Sequence, residues 1–171
     1  MKMNSLTDRK IIDELSKASN AGVPIFLLIR PGIPGKTENI RVESIVGRFL
    51  EHSRIYAFGV GDDTEIYISS ADMMTRNTRR RVEVAAPIYD PRLKQRILKM
   101  IDVMRQDNIQ AQVLLSNGEY TTKKKREDNM NSQIHFLNEA KRLAPKEKTQ
   151  KQNLFYQVKG IFFGKKKLRK K

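Results

Sequence analysis

The run VPIFLLI at residues 23–29 constrains the fold more than any other stretch. It is too short for a buried helix and lacks the polar alternation of a strand with one wet face, so it reads as a strand covered on both sides. Ahead of it, Ile11, Ile12, Leu15 and Ala18 recur at helical spacing. Ser5 or Thr7 can cap that helix, Asp8 falls in its first turn where the dipole favours a carboxylate, and Asn20-Ala21-Gly22 stops it. A helix feeding a doubly covered strand predicts a sheet with a parallel component. Arg30 then emerges at the strand's carboxyl end, where open α/β sheets gather ligands, and PGIPGK at 31–36 must be loop.

Beyond the loop the pattern shortens. Residues 40–46 and 54–58 are strand-like, broken by Gly47 and Gly59, and EIYIS follows the GVGDDT turn. RRRVEVAAPI resumes as a strand led by Arg79, Arg80 and Arg81. Asp90-Pro91 opens the clearest helix, with Pro at its first position and Leu93, Ile97, Met100, Ile101 and Met104 on one core-facing stripe. Asp107-Asn108 ends it, and IQAQVLLS and GEYTT make a hairpin about Asn117-Gly118. After KKKRED, MNSQIHFLNEAKRLA reads as a short amphipathic helix with Ile134, Leu137 and Leu143 inward and His135 structural. The expected architecture is α/β, a mixed sheet flanked by helices in a single domain over residues 1–122. A linker and short helix follow over 123–143, then a basic tail over 144–171.

Charge separates these parts. Residues 1–122 hold 18 Lys+Arg against 15 Asp+Glu, a net of +3, whereas residues 123–171 hold 16 against 4, a net of +12. The folded part is therefore near neutral, and the high pI is not in itself a nucleic-acid footprint on the fold. No cysteine is present, which excludes disulfides and thiolate metal sites, and two histidines argue against a His-based zinc site. No apolar run reaches the roughly 18 to 20 residues that span a bilayer, and MKMNSLTDRK lacks the apolar core of a signal peptide, so the reading is cytoplasmic. The tail composition is that of a disordered, solubilising segment. Its IFFG beside a basic run leaves two sharper roles open: peripheral docking on anionic lipid, or adhesion to a polyanion such as polyphosphate or nucleic acid.

Candidate chemistry concentrates between residues 39 and 77. His52 stands two residues from Arg54, so their side chains share a side if the segment is extended. Arg41 and Arg48 precede the pair and Arg76 follows. Arg offers a planar fork of donors to phosphate oxygens and His exchanges a proton near neutral pH, a mixture suited to phosphate chemistry; a solvated surface of scattered cations is the alternative.

The order His52-x-Arg54, a strand, then Ser69-Ser70-Ala71-Asp72 resembles the H-x-K … G-S-x-N layout of phospholipase-D-like phosphotransferases. IRVESIVGRFLEHSRIYAFG, YISSADMMTRN and RRVEVAAPIYDPRLKQRIL are similar, nearly run for run, to the C-terminal part of bacterial polyphosphate kinases of the long, histidine-phosphorylated type. The resemblance implies a phospholipase-D-like fold. It also implies reversible transfer of the ATP terminal phosphoryl to polyphosphate, through a histidine supplied by another, upstream domain. On that resemblance His52 is the catalytic histidine, in contact with the nucleotide phosphates, and Arg30 binds ATP. Arg48, Arg54, Ser70, Arg76 and Arg80 are phosphate-binding, and magnesium is carried with ATP.

The chain also departs from that family. Ser69 stands where the family has Gly, and Met73, Thr75 and Arg79 where it has Trp, Pro and Asp. A short stretch is missing between Arg30 and the Pro-Gly turn, so Arg30 matches either of two family arginines. These departures support a second reading, a noncatalytic module that binds polyphosphate or nucleic acid. A third, a single-motif phospholipase-D-like nuclease, needs a lysine where Arg54 stands. Expected partners are ATP, polyphosphate and an upstream polyphosphate kinase fragment, with homo-oligomerisation left open. The isolated polypeptide is expected to turn over negligibly.

Overall fold

The apolar run becomes β1 (Ile25–Leu28) in a computed structural model that describes residues 1–30, 38–123 and 128–144. The loop expected at 31–36, the basic stretch 124–127 and the tail from 145 lie outside the described residues. Met1–Phe136 make one compact unit and Leu137 begins a second. β1 is covered on both faces, as its composition demands. Ile25, Leu27 and Ile29 enter one cluster with Met3, Leu6, Val42 and Tyr56, against the Ile11, Ile12, Leu15 and Ala18 stripe of α1 (Arg9–Asn20). Leu28 enters a second cluster with Ile45, Met104 and Ala111, flanked by Phe26 and Phe136. Side chains that alternate along one strand thus serve two layers.

β1 pairs in parallel with β2 (Ile40–Ile45), with Ile25 opposite Ile40, which is the expected parallel component. In this unit β2 pairs antiparallel with β6 (Ala111–Leu114), and β6 with β7 (Tyr120–Thr122), giving the order β1-β2-β6-β7. The β6–β7 hairpin turns where Asn117-Gly118 predicts, with Gly118 at φ +87°. Nothing crowds the position of an added β-carbon there. The cost of Gly118→Ala is therefore conformational alone, an expected loss of about 1–2 kcal/mol in unfolding free energy by urea titration.

A second, antiparallel sheet holds β3 (Ile55–Phe58), β4 (Glu65–Ser69) and β5 (Ala85–Pro87). The chain's first residues join the two sheets. Lys2 N donates to Ile55 O at 2.7 Å and Ile55 N to Lys2 O at 2.8 Å, while Met3 N donates to Leu28 O at 3.1 Å. Residues 1–4 act as an extra strand between β1 and β3, one that MKMN announces by no alternation.

Several elements differ from expectation, each for a visible reason. α1 is capped by Asp8, not by Ser5 or Thr7. Asp8 Oδ1 accepts from Lys10 N at 3.1 Å and Ile11 N at 3.3 Å, because the N–H groups of Thr7 and Asp8 are pinned to Met73 O and fix where the helix enters. The strand expected from Arg79 onward is shorter: Arg79 and Arg80 close α2 (Thr75–Arg80), and only Ala85–Pro87 ladders with β4. Past the end of β4 the serines carry the pairing. Ser70 N and Ser69 Oγ each donate to Val84 O at 3.0 Å, and Val84 N donates to Ser70 Oγ at 3.1 Å.

α3 (Pro91–Gln106) begins as Asp90-Pro91 dictates, Asp90 Oδ1 accepting Arg92 N at 2.8 Å. Met104 is buried, but Leu93, on the expected inner stripe, is half exposed. In α4 (Ser132–Leu143) the inward expectation fails for Ile134 and Leu143, which are 44% and 66% exposed. The buried residues of its first turn are polar instead, Ser132 and Gln133, because Asp107 and the loop before His52 offer them partners.

Candidate functional site

His52 is exposed, in the stretch that leads into β3, and the residues before it are held from several directions. The Glu51 carboxylate takes Lys2 Nζ at 3.0 Å on Oε2 and Gln133 Nε2 at 3.1 Å on Oε1. Gln133 also clasps the backbone of Phe49, accepting its N–H at 3.0 Å and donating to its carbonyl at 2.9 Å. Gly47 makes room for this clasp, since a β-carbon there would lie 2.5 Å from the amides of Gln110 and Gln133. The first turn of α4 thereby braces the loop that presents the imidazole.

Arg54 meets His52, as their spacing predicted, but its guanidinium is turned into the protein, the side chain only 11% exposed. Nε donates to Asp72 Oδ1 at 3.1 Å and Nη2 to Asp72 Oδ2 at 2.9 Å. With the Asn4 amide turned so that its oxygen faces the guanidinium, Nη2 reaches that oxygen at 3.0 Å. Nη1 donates to His52 O at 3.0 Å and lies 2.9 Å from His52 Nδ1. Buried Asp72 accepts Asn4 N at 2.8 Å in addition. Burial works against its charge, but the Arg54 fork and the Asn4 N–H outweigh it and hold the carboxyl below the usual range. Tyr56 donates to Ala71 O at 2.7 Å, and burial pushes its phenol up to about 12, so it serves as a neutral brace under this loop.

Arg30 lies exposed beyond the carboxyl end of β1, where the strand pattern put it. Its N–H donates to Asn4 O at 3.3 Å, and with Lys2, Asn4 and Glu51 it lines a narrow cleft. Asn4 therefore joins Arg30 to the His52–Arg54–Asp72 group, with its carbonyl toward one and its N–H and side chain toward the other. Ser70 is exposed, but its hydroxyl is already bonded to Glu83 Oε2, while Asn77 Nδ2 holds Glu83 Oε1 at 2.5 Å. These two hydrogen bonds keep the Glu83 carboxyl below its ordinary range. Arg48 stacks on Phe49, 5.5 Å from the ring centroid. Arg76 and Arg80 are exposed on α2. Among the described residues no hydrogen bond ties these three arginines to the His52 group. His135 packs edge-on against Phe136, with centroids 5.6 Å apart.

Two residues central to this arrangement carry no sequence signal of their own. Asn4 sits in a bend just after the bridge that Lys2 makes to both sheets, and Gln133 belongs to a helix whose apolar spacing pointed elsewhere.

The family model for polyphosphate kinase C-terminal domain 2 matches residues 1–133. The chain belongs to the polyphosphate kinase family. It is 47% identical over 146 residues to the polyphosphate kinase of Staphylococcus haemolyticus, covering 82% of this chain and 20% of that protein. To the polyphosphate kinase of Escherichia coli K12 it is 48% identical over 120 residues, 67% of this chain and 17% of that one. The crystal structure of polyphosphate kinase from Porphyromonas gingivalis superposes with a TM-score of 0.74 at 37% identity, over 82% of this chain and 22% of the other. The chain thus spans about a fifth of the length of these polyphosphate kinases.

Ser69 ends strand β4, and its hydroxyl bridges Val84 O and Ala71 N, both at 3.0 Å. Among the described residues no group of three or more His, Cys, Asp or Glu is placed to hold a metal ion.

Proposed function

We propose that this chain supplies the C-terminal part of a polyphosphate kinase active site on a phospholipase-D-like scaffold, for reversible transfer of the ATP terminal phosphoryl to polyphosphate. His52 meets the phosphates of the nucleotide, as contact or proton carrier, and Arg30 binds ATP from the cleft at the end of β1. Exposed Arg48, Arg76 and Arg80 line the approach of the polyanion. Phosphoryl transfer spreads negative charge over the equatorial oxygens, and fixed cations with one proton-exchanging ring are what such a transition state needs from a protein. The nucleophilic histidine comes from a domain outside this sequence, and magnesium travels with ATP.

The observation that carries this reading is an exposed imidazole braced in place and linked through Asn4 to Arg30, whose side chain makes no hydrogen bond or ion pair among the described residues. The test uses labelled ATP and polyphosphate. The chain alone is expected to extend no polyphosphate above background. Adding the upstream portion of a polyphosphate kinase that lacks this region should restore growth, and sustained extension by the chain alone would overturn the division of the site.

The net +12 of residues 123–171 favours one other reading, a noncatalytic polyanion-binding module. In that case the upstream portion restores nothing, and salt weakens polyphosphate and nucleic acid binding alike. Either reading suits the cytoplasm, with the tail as a contact for anionic lipid or nucleic acid; among the described residues no helix is long and apolar enough to cross a membrane.

A further inference from the structure

The first turn of α1 carries the wrong charge for its place. A helix N-terminus favours carboxylates, yet α1 opens on Arg9 and Lys10 and has no acid in that turn. Beside it, the six residues of α2 include Arg76, Arg79 and Arg80. All five cations are exposed, and none makes a side-chain hydrogen bond or ion pair to another described residue. The two helices are joined at the α1 cap, where Thr78 Oγ1 donates to Asp8 Oδ2 at 2.8 Å and Asp8 N donates to Met73 O at 3.0 Å. Arg9 follows Asp8 and Arg79 follows Thr78, so the two groups of cations adjoin. We infer that together they form a track that holds the body of a polyphosphate chain whose end lies at His52.

Nearby carboxylates do not cancel this charge. Asp8, buried at the cap, and Asp13, one turn beyond Arg9, set two negative charges against five positive. Glu83 is held by Ser70 and Asn77 and faces the charge of Arg81, and Glu14 pairs with Lys17. Cations gathered at a helix start lower its stability, and what they supply in return is attraction for a polyanion.

Position ties the track to the site. Residues 4–8 run beside residues 72–78. At one end Asn4 N donates to Asp72 Oδ1 in the His52–Arg54–Asp72 group, Leu6 bridges Met73, and at the other end Asp8 takes Thr78. Four residues of chain reach at most about 14 Å, so one linear polyanion can lie on both ends. The second contact is then intramolecular and raises affinity for long chains without a new pocket. Residues 5–22 and 70–81 contain no aromatic side chain. Single-stranded nucleic acid uses such rings to stack its bases, whereas polyphosphate has no bases to place.

The choice of occupant rests on polyphosphate being the acceptor, so the experiment reads binding at the track apart from turnover. Acetylation of the full chain, followed by peptide mass spectrometry, compares Lys10 with Lys17, which lies about 10 Å further along α1 and is paired with Glu14. Long-chain polyphosphate should protect Lys10 several-fold more than Lys17, and tripolyphosphate at equal phosphate concentration should not. Equal protection of both lysines overturns the track, as does protection of Lys10 by tripolyphosphate or by single-stranded RNA to the same degree. Protection should persist in His52→Ala; its loss there would put all the binding at His52 and also overturn the track.

The combined variant Arg9→Gln, Lys10→Gln and Arg79→Gln removes three cations and relieves the helix start, so its Tm should be no lower than wild type. Its affinity for long-chain polyphosphate is expected to fall about tenfold at low salt, and the slope of log K against log salt to shrink by about 2. Affinity and slope unchanged in the folded variant refute the track, and if the variant does not fold, Lys10 protection in wild type decides. If an upstream polyphosphate kinase portion restores no chain growth while Lys10 is protected, the track stands as a binding surface and only the catalytic reading falls. Growth without protection removes the track alone.

Discussion

Asp107→Ala is expected to lower the unfolding free energy by about 3–5 kcal/mol, the cost of stripping the partner from a buried set of donors. Asp107 has no exposed surface and lies just past the end of α3. Its Oδ1 accepts Ile109 N at 3.0 Å, Gln110 N at 2.8 Å and Ala111 N at 3.3 Å, the turn that starts β6. Its Oδ2 accepts Ser132 N at 2.8 Å and Ser132 Oγ at 2.7 Å, the first turn of α4. Alanine leaves these donors facing an apolar methyl. For a chain of this size the loss corresponds to roughly 6–20 °C in Tm, readable by circular dichroism. Asp107→Asn, which keeps one acceptor but aims an amide N–H2 at other donors, should fall between.

The pH dependence of the same residue has a definite sign. Burial pushes the Asp107 carboxyl up, but its hydrogen bonds from Gln110 N, Ser132 and Ile109 N outweigh this and leave it below the usual value. A folded-state pKa below the unfolded one means that the stabilisation is present above the unfolded value, about 3.9, and is lost as pH falls through the folded value. Asp72 shifts in the same direction. Wild type should therefore hold its stability from neutral pH down to about pH 4 and lose it below, while Asp107→Ala should show a shallower acid decline. A wild-type loss centred near pH 6 would contradict this.

What could be read from the chain and what could not divide along a physical line. β1, the parallel pairing with β2, the start of α3 and the β6–β7 hairpin were legible because each is fixed by local chemistry: a continuous apolar run, a Pro at a helix N-terminus, an Asn-Gly turn. The extra strand at residues 1–4 was not, because what defines it is the pair of free backbone edges it fills, on β1 and at Ile55. The burial of Ser132 and Gln133 was hidden for a similar reason. A polar side chain in a core is decided by the partner that awaits it, here Asp107 and Phe49, and those partners lie 25 and 84 residues away. At the site, the meeting of His52 and Arg54 followed from their spacing, but the direction of the guanidinium depended on Asp72, 18 residues on. Charge alone cannot distinguish an arginine that faces solvent from one that braces a neighbour.

His52→Ala is expected to cut turnover by about 10²- to 10⁴-fold in the enzyme assembled with an upstream polyphosphate kinase portion, the range for a lost proton-transfer group. ATP affinity should fall by no more than about tenfold, the worth of one charge-assisted contact. The two effects separate because an equal loss in binding and turnover would mean that His52 only holds phosphate, and a loss far greater in turnover means that it acts as the group changes hands. Folding does not confound the comparison. The imidazole is exposed, the loop before it is fixed by Glu51 and Phe49 through Gln133 and Lys2, and Arg54 keeps Asp72, Asn4 and the carbonyl of residue 52 as partners when the ring is gone. An unchanged Tm with turnover lowered less than threefold would remove His52 from the chemistry and leave the polyanion-binding reading as the better account of the same surface.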